Sequence, residues 1–210
     1  MNLATLDARR WATVAAATLA FVAGVATSGS DWLWPAMAAV GAGTAALAWR
    51  ADRSRLAALL RPDLRSIATG LAAGAVMVVA THVLYPIAAA TFPGLEPHVA
   101  LLYRPLAAPP GPTAALPILL LVVFAEELIW RGLLLDSLTA RMPAAPSVVA
   151  GAALYALPQL ANGSLLVTAV AMVCGLVWGA ERTLTGGLTA PLITHALWSV
   201  TVFSLAPLAG

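Results

Sequence analysis

In the run Leu119-Leu-Leu-Val-Val-Phe-Ala-Glu126-Glu127-Leu-Ile-Trp-Arg131-Gly132, three ionisable side chains interrupt an otherwise apolar stretch. A charge at the centre of a membrane helix costs about 2.5–3.5 kcal/mol, so three unpaired ones would cost roughly 8–10 kcal/mol. On a helix, Glu127 and Arg131 stand four apart with the acid on the N-terminal side, the better order for an ion pair. Glu126 is about 100° further round and faces a different neighbour. Adjacent acids repel, and burial disfavours charge, so one of the two is disposed to take up a proton, as a general base must. An ion pair at the cytoplasmic boundary, with the arginine reaching for the headgroups, would explain Glu127 and Arg131. It leaves Glu126 unexplained.

Further polar side chains follow. Thr194, His195 and Ser199 give the last apolar run a polar strip, with His195 and Ser199 at i and i+4 on one face. A histidine in a span often only packs, but a hydroxyl one turn away and the glutamates elsewhere in the bundle favour an active-site role. Tyr155-Ala-Leu-Pro158-Gln159 contains a proline that kinks or ends its helix. Gln159 either satisfies the backbone groups so freed or points into the polar cavity. His82 reads as a satisfied core histidine. At 1.5 Å per residue, Glu126 and Gln159 lie roughly 20 Å from the cytoplasmic helix ends, with His195 and Ser199 at roughly 12 and 18 Å. One buried site is geometrically allowed.

The elements that must hold these residues are membrane helices. Of 210 residues, 61 % are hydrophobic and 10 % charged, against about 25 % charged in a soluble domain. Apolar runs long enough to span, or nearly so, cover about 11–29, 32–49, 66–88, 113–135, 147–160, 163–180 and 187–208. The fold expected is all-α, a polytopic transmembrane helical bundle of about seven spans. Arg9 and Arg10 precede the first run, which exceeds a signal-peptide core and is read as an uncleaved helix.

Every one of the 11 basic residues is arginine, and their placement orients the bundle. With the N-terminus cytoplasmic, Arg9, Arg10, Arg50, Arg53, Arg55, Arg61, Arg65, Arg131, Arg141 and Arg182 fall inside and Arg104 outside. The outer stretch 89–112 carries six prolines and is expected to be extended and irregular, with Glu96, His98 and Arg104 as solvated loop residues. The single Cys174 excludes an internal disulfide and any cysteine-based zinc cluster, and reads as a small apolar filler. With a net charge of only +2 and no basic face, nucleic acid is not an expected partner. The lipid bilayer is.

The order Glu126-Glu127-x-x-x-Arg131-Gly132, then Tyr155 and Gln159, then His195 and Ser199, resembles the CPBP family of membrane proteases. These comprise the type II CAAX prenyl endopeptidases, the bacteriocin-processing and immunity proteins and the related abortive-infection (Abi) proteins. The stretch Gly175-Leu-Val-Trp178-Gly179-Ala-Glu181-Arg182, followed by Gly186-Gly187-Leu188 and Pro191, is similar to the family's closing segment. The resemblance covers about residues 113–208. It divides one integral membrane domain into 1–112, three transmembrane helices with the proline-rich outer loop, and 113–210, a catalytic core of four helices.

The resemblance implies catalytic roles for Glu126, Glu127, Arg131, Gln159, His195 and Ser199. Glu126 would activate water for attack on a peptide carbonyl, Glu127 and Arg131 would position it, and His195 with Ser199 would bind the oxyanion. Two positions depart from the family pattern. Gln159 stands where it has histidine, and Ser199 where it has asparagine. Serine can still donate a hydrogen bond, but glutamine cannot take and release a proton as histidine does. A zinc mechanism needs about three protein ligands; without that histidine only the two glutamates and His195 remain as good ones, and a metal-free glutamate mechanism with no cofactor is the expectation.

The reading is a glutamate-dependent intramembrane endopeptidase of the bacterial inner membrane, acting on a membrane-embedded or membrane-associated peptide. A catalytically impaired relative serving as a binding or immunity protein is the alternative. A transporter would show internal symmetry, which the sequence does not.

Overall fold

Each of the seven apolar runs lies on a helix. The computed structural model describes residues 3–92, 94–107 and 109–208, and among them there is no strand. The chain runs through α1 (Leu3–Val25), α2 (Leu33–Leu59), α3 (Leu64–Thr91) and α4 (Leu95–Leu106). Next comes α5 (Leu116–Glu126), which continues as a π-wound segment, Glu127–Leu134, into the short α6 (Leu135–Thr139). Then α7 (Ala144–Ala156) passes into a 3₁₀ segment, Leu157–Asn162, followed by α8 (Leu165–Thr185) and α9 (Thr189–Val200) with a π-wound tail, Thr201–Leu205. Leu64–Thr91, Ala144–Asn162 and Leu165–Thr185 are each long and apolar enough to cross a membrane. The protein is an integral membrane protein.

Helix ends follow the local chemistry. Asp63 caps α3 by accepting from the Ser66 backbone N–H at 3.0 Å, and Ser164 caps α8 through the Val167 N–H, each satisfying a donor with no partner inside its helix. Gly186, at φ 76°, closes α8 in the left-handed conformation. Asp52 breaks the helical path of α2 (φ −154°, ψ 71°) and accepts from the Arg55 N–H at 3.1 Å, so it caps the second half of a bent helix. The expected irregularity of 89–112 needs correction, because α4 occupies its centre. Pro97 falls in the first turn, where the missing N–H has no intrahelical acceptor to lose. Pro93 and Ala108 lie outside the described residues.

Packing pairs α3 with α9, α7 with α8, and α2 with both α1 and α5. Small residues allow close approach, as is common between membrane helices. A Cβ on Gly70 would stand 2.7 Å from the Ala190 carbonyl oxygen, and one on Gly175 would stand 3.0 Å from the Ala152 Cβ. Beyond Gly70 and Gly74, α3 leaves Leu71, Val76, Val79, Val83, Leu84 and Ile87 exposed, an apolar surface suited to lipid.

One end of the bundle collects charge. Asp136 accepts from Arg55 at 2.9 and 2.7 Å and from Arg182 at 3.1 Å. Arg10 pairs with Asp52 and lies 3.5 Å from Asp136, and Arg141 pairs with Asp7. The start of α1, the bent end of α2, α6 and the end of α8 therefore share one face. Arg131, counted with the inner arginines, lies instead in the interior with Glu127.

Candidate active site

The π winding begins at Glu127 and carries Arg131 and Gly132. Such i→i+5 turns are rare and concentrate at functional sites. Its side chains point into the bundle: Glu127 is 0 % and Arg131 2 % exposed, with Glu126 at 7 %. Arg131 Nη1 donates to Glu127 Oε1 at 3.1 Å, the i,i+4 pair expected. From α9, His195 Nδ1 meets the same Oε1 at 2.9 Å, and His195 Nε2 lies 3.6 Å from Glu126 Oε2. Since Oε1 of the arginine-paired Glu127 accepts, Nδ1 donates. The other ring nitrogen is left for Glu126.

Aromatic rings fix this cluster in place. Trp178 of α8 stacks on the His195 ring with centroids 3.6 Å apart and planes 17° off parallel. The Arg131 guanidinium lies 4.4 Å from the Tyr155 centroid and 5.1 Å from that of Trp178. Such cation–π contacts gain strength where water is excluded. The Tyr155 hydroxyl reaches Glu126 Oε2 at 3.4 Å. Each of these contacts spans two of the elements α5, the π segment, α7, α8 and α9.

The two glutamates are therefore partnered unequally. Glu127 is tied to a cation and an imidazole at hydrogen-bond distance, while Glu126 has only looser contacts through one oxygen. Among the described residues, Glu127 Oε2 and Arg131 Nη2 are buried without a partner, which leaves hydrogen-bonding capacity inside the site. Among the described residues, no three His, Cys, Asp or Glu side chains are grouped to hold a metal.

The remaining candidates separate. Ser199 is buried at 2 %, one turn beyond His195, and makes no side-chain hydrogen bond to the cluster. Gln159 is partly buried in the 3₁₀ segment and makes none with Glu126, Glu127 or His195. Pro158 sits in the first turn of that segment, where α-winding has stopped. His82 is held elsewhere, between the Val78 and Ala206 carbonyls at 2.9 Å each. Cys174 is buried in the core. Glu96 and His98 are exposed, and the side chain of Arg104 lies outside the described residues.

Glu181, Trp178 and the Tyr155 hydroxyl join the site without any signal in motif spacing. Glu181 is 5 % exposed and 2.6 Å from Thr194 Oγ1, which is also 3.0 Å from the Gly70 carbonyl oxygen. A hydroxyl has one hydrogen to give, so one of these contacts runs the other way when Glu181 carries a proton. An acid standing within an apolar run is the signal that marks it. Its neighbour Arg182 pairs with Asp136.

Residues 109–201 match the family model described as Type II CAAX prenyl endopeptidase Rce1-like. The match includes Glu126, Glu127, Arg131, Gln159, His195 and Ser199, and agrees with the resemblance read from their spacing. The matched span is a little under half of the chain. No curated protein and no solved structure shows a significant match to the chain.

Proposed function

We propose that this chain is an intramembrane endopeptidase that hydrolyses a peptide bond in a membrane-associated protein or peptide through a water activated by Glu126. The observation that supports this reading is the unequal partnering of two adjacent buried glutamates. One is engaged by Arg131 and His195, and the other keeps one oxygen free of hydrogen bonds among the described residues. In the first step Glu126 takes a proton from water as the water oxygen bonds to the peptide carbonyl carbon. The carbonyl electrons move onto its oxygen. Collapse of that intermediate breaks the C–N bond, and Glu126 returns the proton to the departing amine.

Stabilisation of the oxyanion falls to His195 Nε2 and Ser199 Oγ. With Nδ1–H committed to Glu127, Nε2 can donate only when the ring is doubly protonated. Glu127 and Arg131 hold the ring and the base in register. Substrates suited to a bacterial inner membrane are a C-terminal sorting tail or a bacteriocin leader, and the N-terminus is assigned to the cytoplasm.

A second reading, a lapsed enzyme kept for binding or immunity, is favoured by Gln159, which stays out of the cluster. Co-expression of the native membrane neighbours with wild type, Glu126→Gln and His195→Ala separates the two. Processing by wild type that is lost in both variants supports hydrolysis. A silent wild type in which Gln159→His switches cleavage on supports the lapsed enzyme.

A further inference from the structure

We propose that the Tyr155 hydroxyl is a positioning group for Glu126, holding one oxygen of that carboxyl so that the other is presented to water. The proposal rests on Glu126 being the general base. Tyr155 comes from α7 and Glu126 from α5. Its ring is gripped on several sides: Trp130 and Trp178 each approach edge-on at 5.9 Å, and the Arg131 guanidinium covers its face at 4.4 Å. A ring so enclosed has little freedom, so the direction of its hydroxyl is set by the packing.

A buried tyrosine hydroxyl needs a partner. Here it is Glu126 Oε2 at 3.4 Å, and among the described residues the hydroxyl makes no other hydrogen bond. His195 Nε2 approaches the same oxygen at 3.6 Å. The tyrosine contact is longer than a tight hydrogen bond, as is common before substrate tightens a site, and the histidine contact is beyond hydrogen-bond distance. Among the described residues Oε1 makes no hydrogen bond. The last torsion of a glutamate is broad and roughly two-fold, so an unheld carboxyl would sample both orientations. The tyrosine hydroxyl on Oε2 selects one. Gln159, one turn beyond Tyr155, takes no part in this arrangement, so Tyr155 is the residue through which α7 addresses the base.

Tyr155→Phe removes the hydroxyl and keeps the ring contacts. Two measurements on the full-length protein in lipid vesicles test the idea. The first is the rate at which N,N′-dicyclohexylcarbodiimide, an apolar reagent for protonated carboxyls not engaged by a donor, modifies Glu126 and Glu181, read by peptide mass. Tyr155→Phe should speed modification of Glu126 several-fold and leave Glu181, which bonds Thr194, unchanged. The second is turnover of the membrane protein whose processing is lost in Glu126→Gln. Here kcat should fall about tenfold with KM unchanged, the loss expected for one hydrogen bond to a charged group.

Wild-type labelling and wild-type turnover in Tyr155→Phe would overturn the proposal. So would equal acceleration at Glu126 and Glu181, which reports a loosened bundle. Cleavage that survives Glu126→Gln would instead sink the general-base reading, and the labelling comparison would still decide whether Tyr155 engages Glu126.

Discussion

Glu127 and Arg131 offer the sharpest test of how the site is held together. Their side chains are 0 % and 3 % exposed and meet at 3.1 Å, yet Glu127 Oε2 and Arg131 Nη2 find no protein partner. A buried pair with unmet hydrogen-bonding capacity contributes little net stability, because desolvation offsets its attraction. Removing one member is different, since the survivor is a buried charge without its counterpart, at a cost of about 3–5 kcal/mol. For a chain of this size each kcal/mol lowers Tm by about 2–4 °C, so Glu127→Gln or Arg131→Met should melt roughly 6–20 °C early. The double variant should recover most of that loss, with a coupling of about 3 kcal/mol against at most about 1 kcal/mol for an exposed pair. The assay is supplied by the chain itself. Cys174 is its single thiol and is 4 % exposed, so a fluorogenic maleimide in detergent micelles reports unfolding. Single variants melting within about 2 °C of wild type would refute the argument. Losses that simply add in the double variant would refute it too.

Packing and pH give two further tests. Gly70→Leu drives a side chain toward the Ala190 carbonyl oxygen, 2.7 Å from the new Cβ, and should lower stability by about 1–3 kcal/mol. Gly43→Ala, with nothing within 4 Å, should be neutral or slightly stabilising in the same melt, as expected for alanine in a helix. At the charged end of the bundle, burial pushes the Asp52 carboxyl up, but the Arg10 side chain, the Arg55 N–H and the Ser54 hydroxyl outweigh it and hold it below its ordinary value. A depressed carboxylate contributes stability that is fully present above its unfolded value of about 4 and is lost as pH falls through the folded one. Tryptophan-fluorescence melts should therefore show wild-type Tm dropping faster than that of Asp52→Asn below about pH 4. Parallel curves would show that Arg10 does not stabilise the carboxylate.

The helical inventory was legible because a membrane span needs about 20 apolar residues, and each such run or near-run in the sequence lies on a helix. The Glu127–Arg131 pair was legible for a similar reason: i,i+4 spacing is a local rule, and the pair forms inside one segment. Pro158 marked the end of α-winding because a missing N–H acts on the chain next to it. What could not be read depends on partners distant in sequence. Nothing local in Glu127–Leu134 calls for π winding. Asp136 looks like an ordinary helix-end acid until Arg55 and Arg182 reach it from other helices. The Tyr155 hydroxyl acquires meaning only when α7 is set against α5. In α4 the proline count misled, because what matters is where in a helix each proline falls.

The stacking of Trp178 on His195 decides which nitrogen each acid meets. With its face covered at 3.6 Å and Nδ1 bonded to Glu127, the imidazole cannot turn over to exchange its nitrogens. It behaves as a fixed vane between two acids, with one edge always toward Glu127 and the other always toward Glu126. The two carboxyls are adjacent in the chain, yet a ring brought from another helix stands beside both, and each meets a different nitrogen of it.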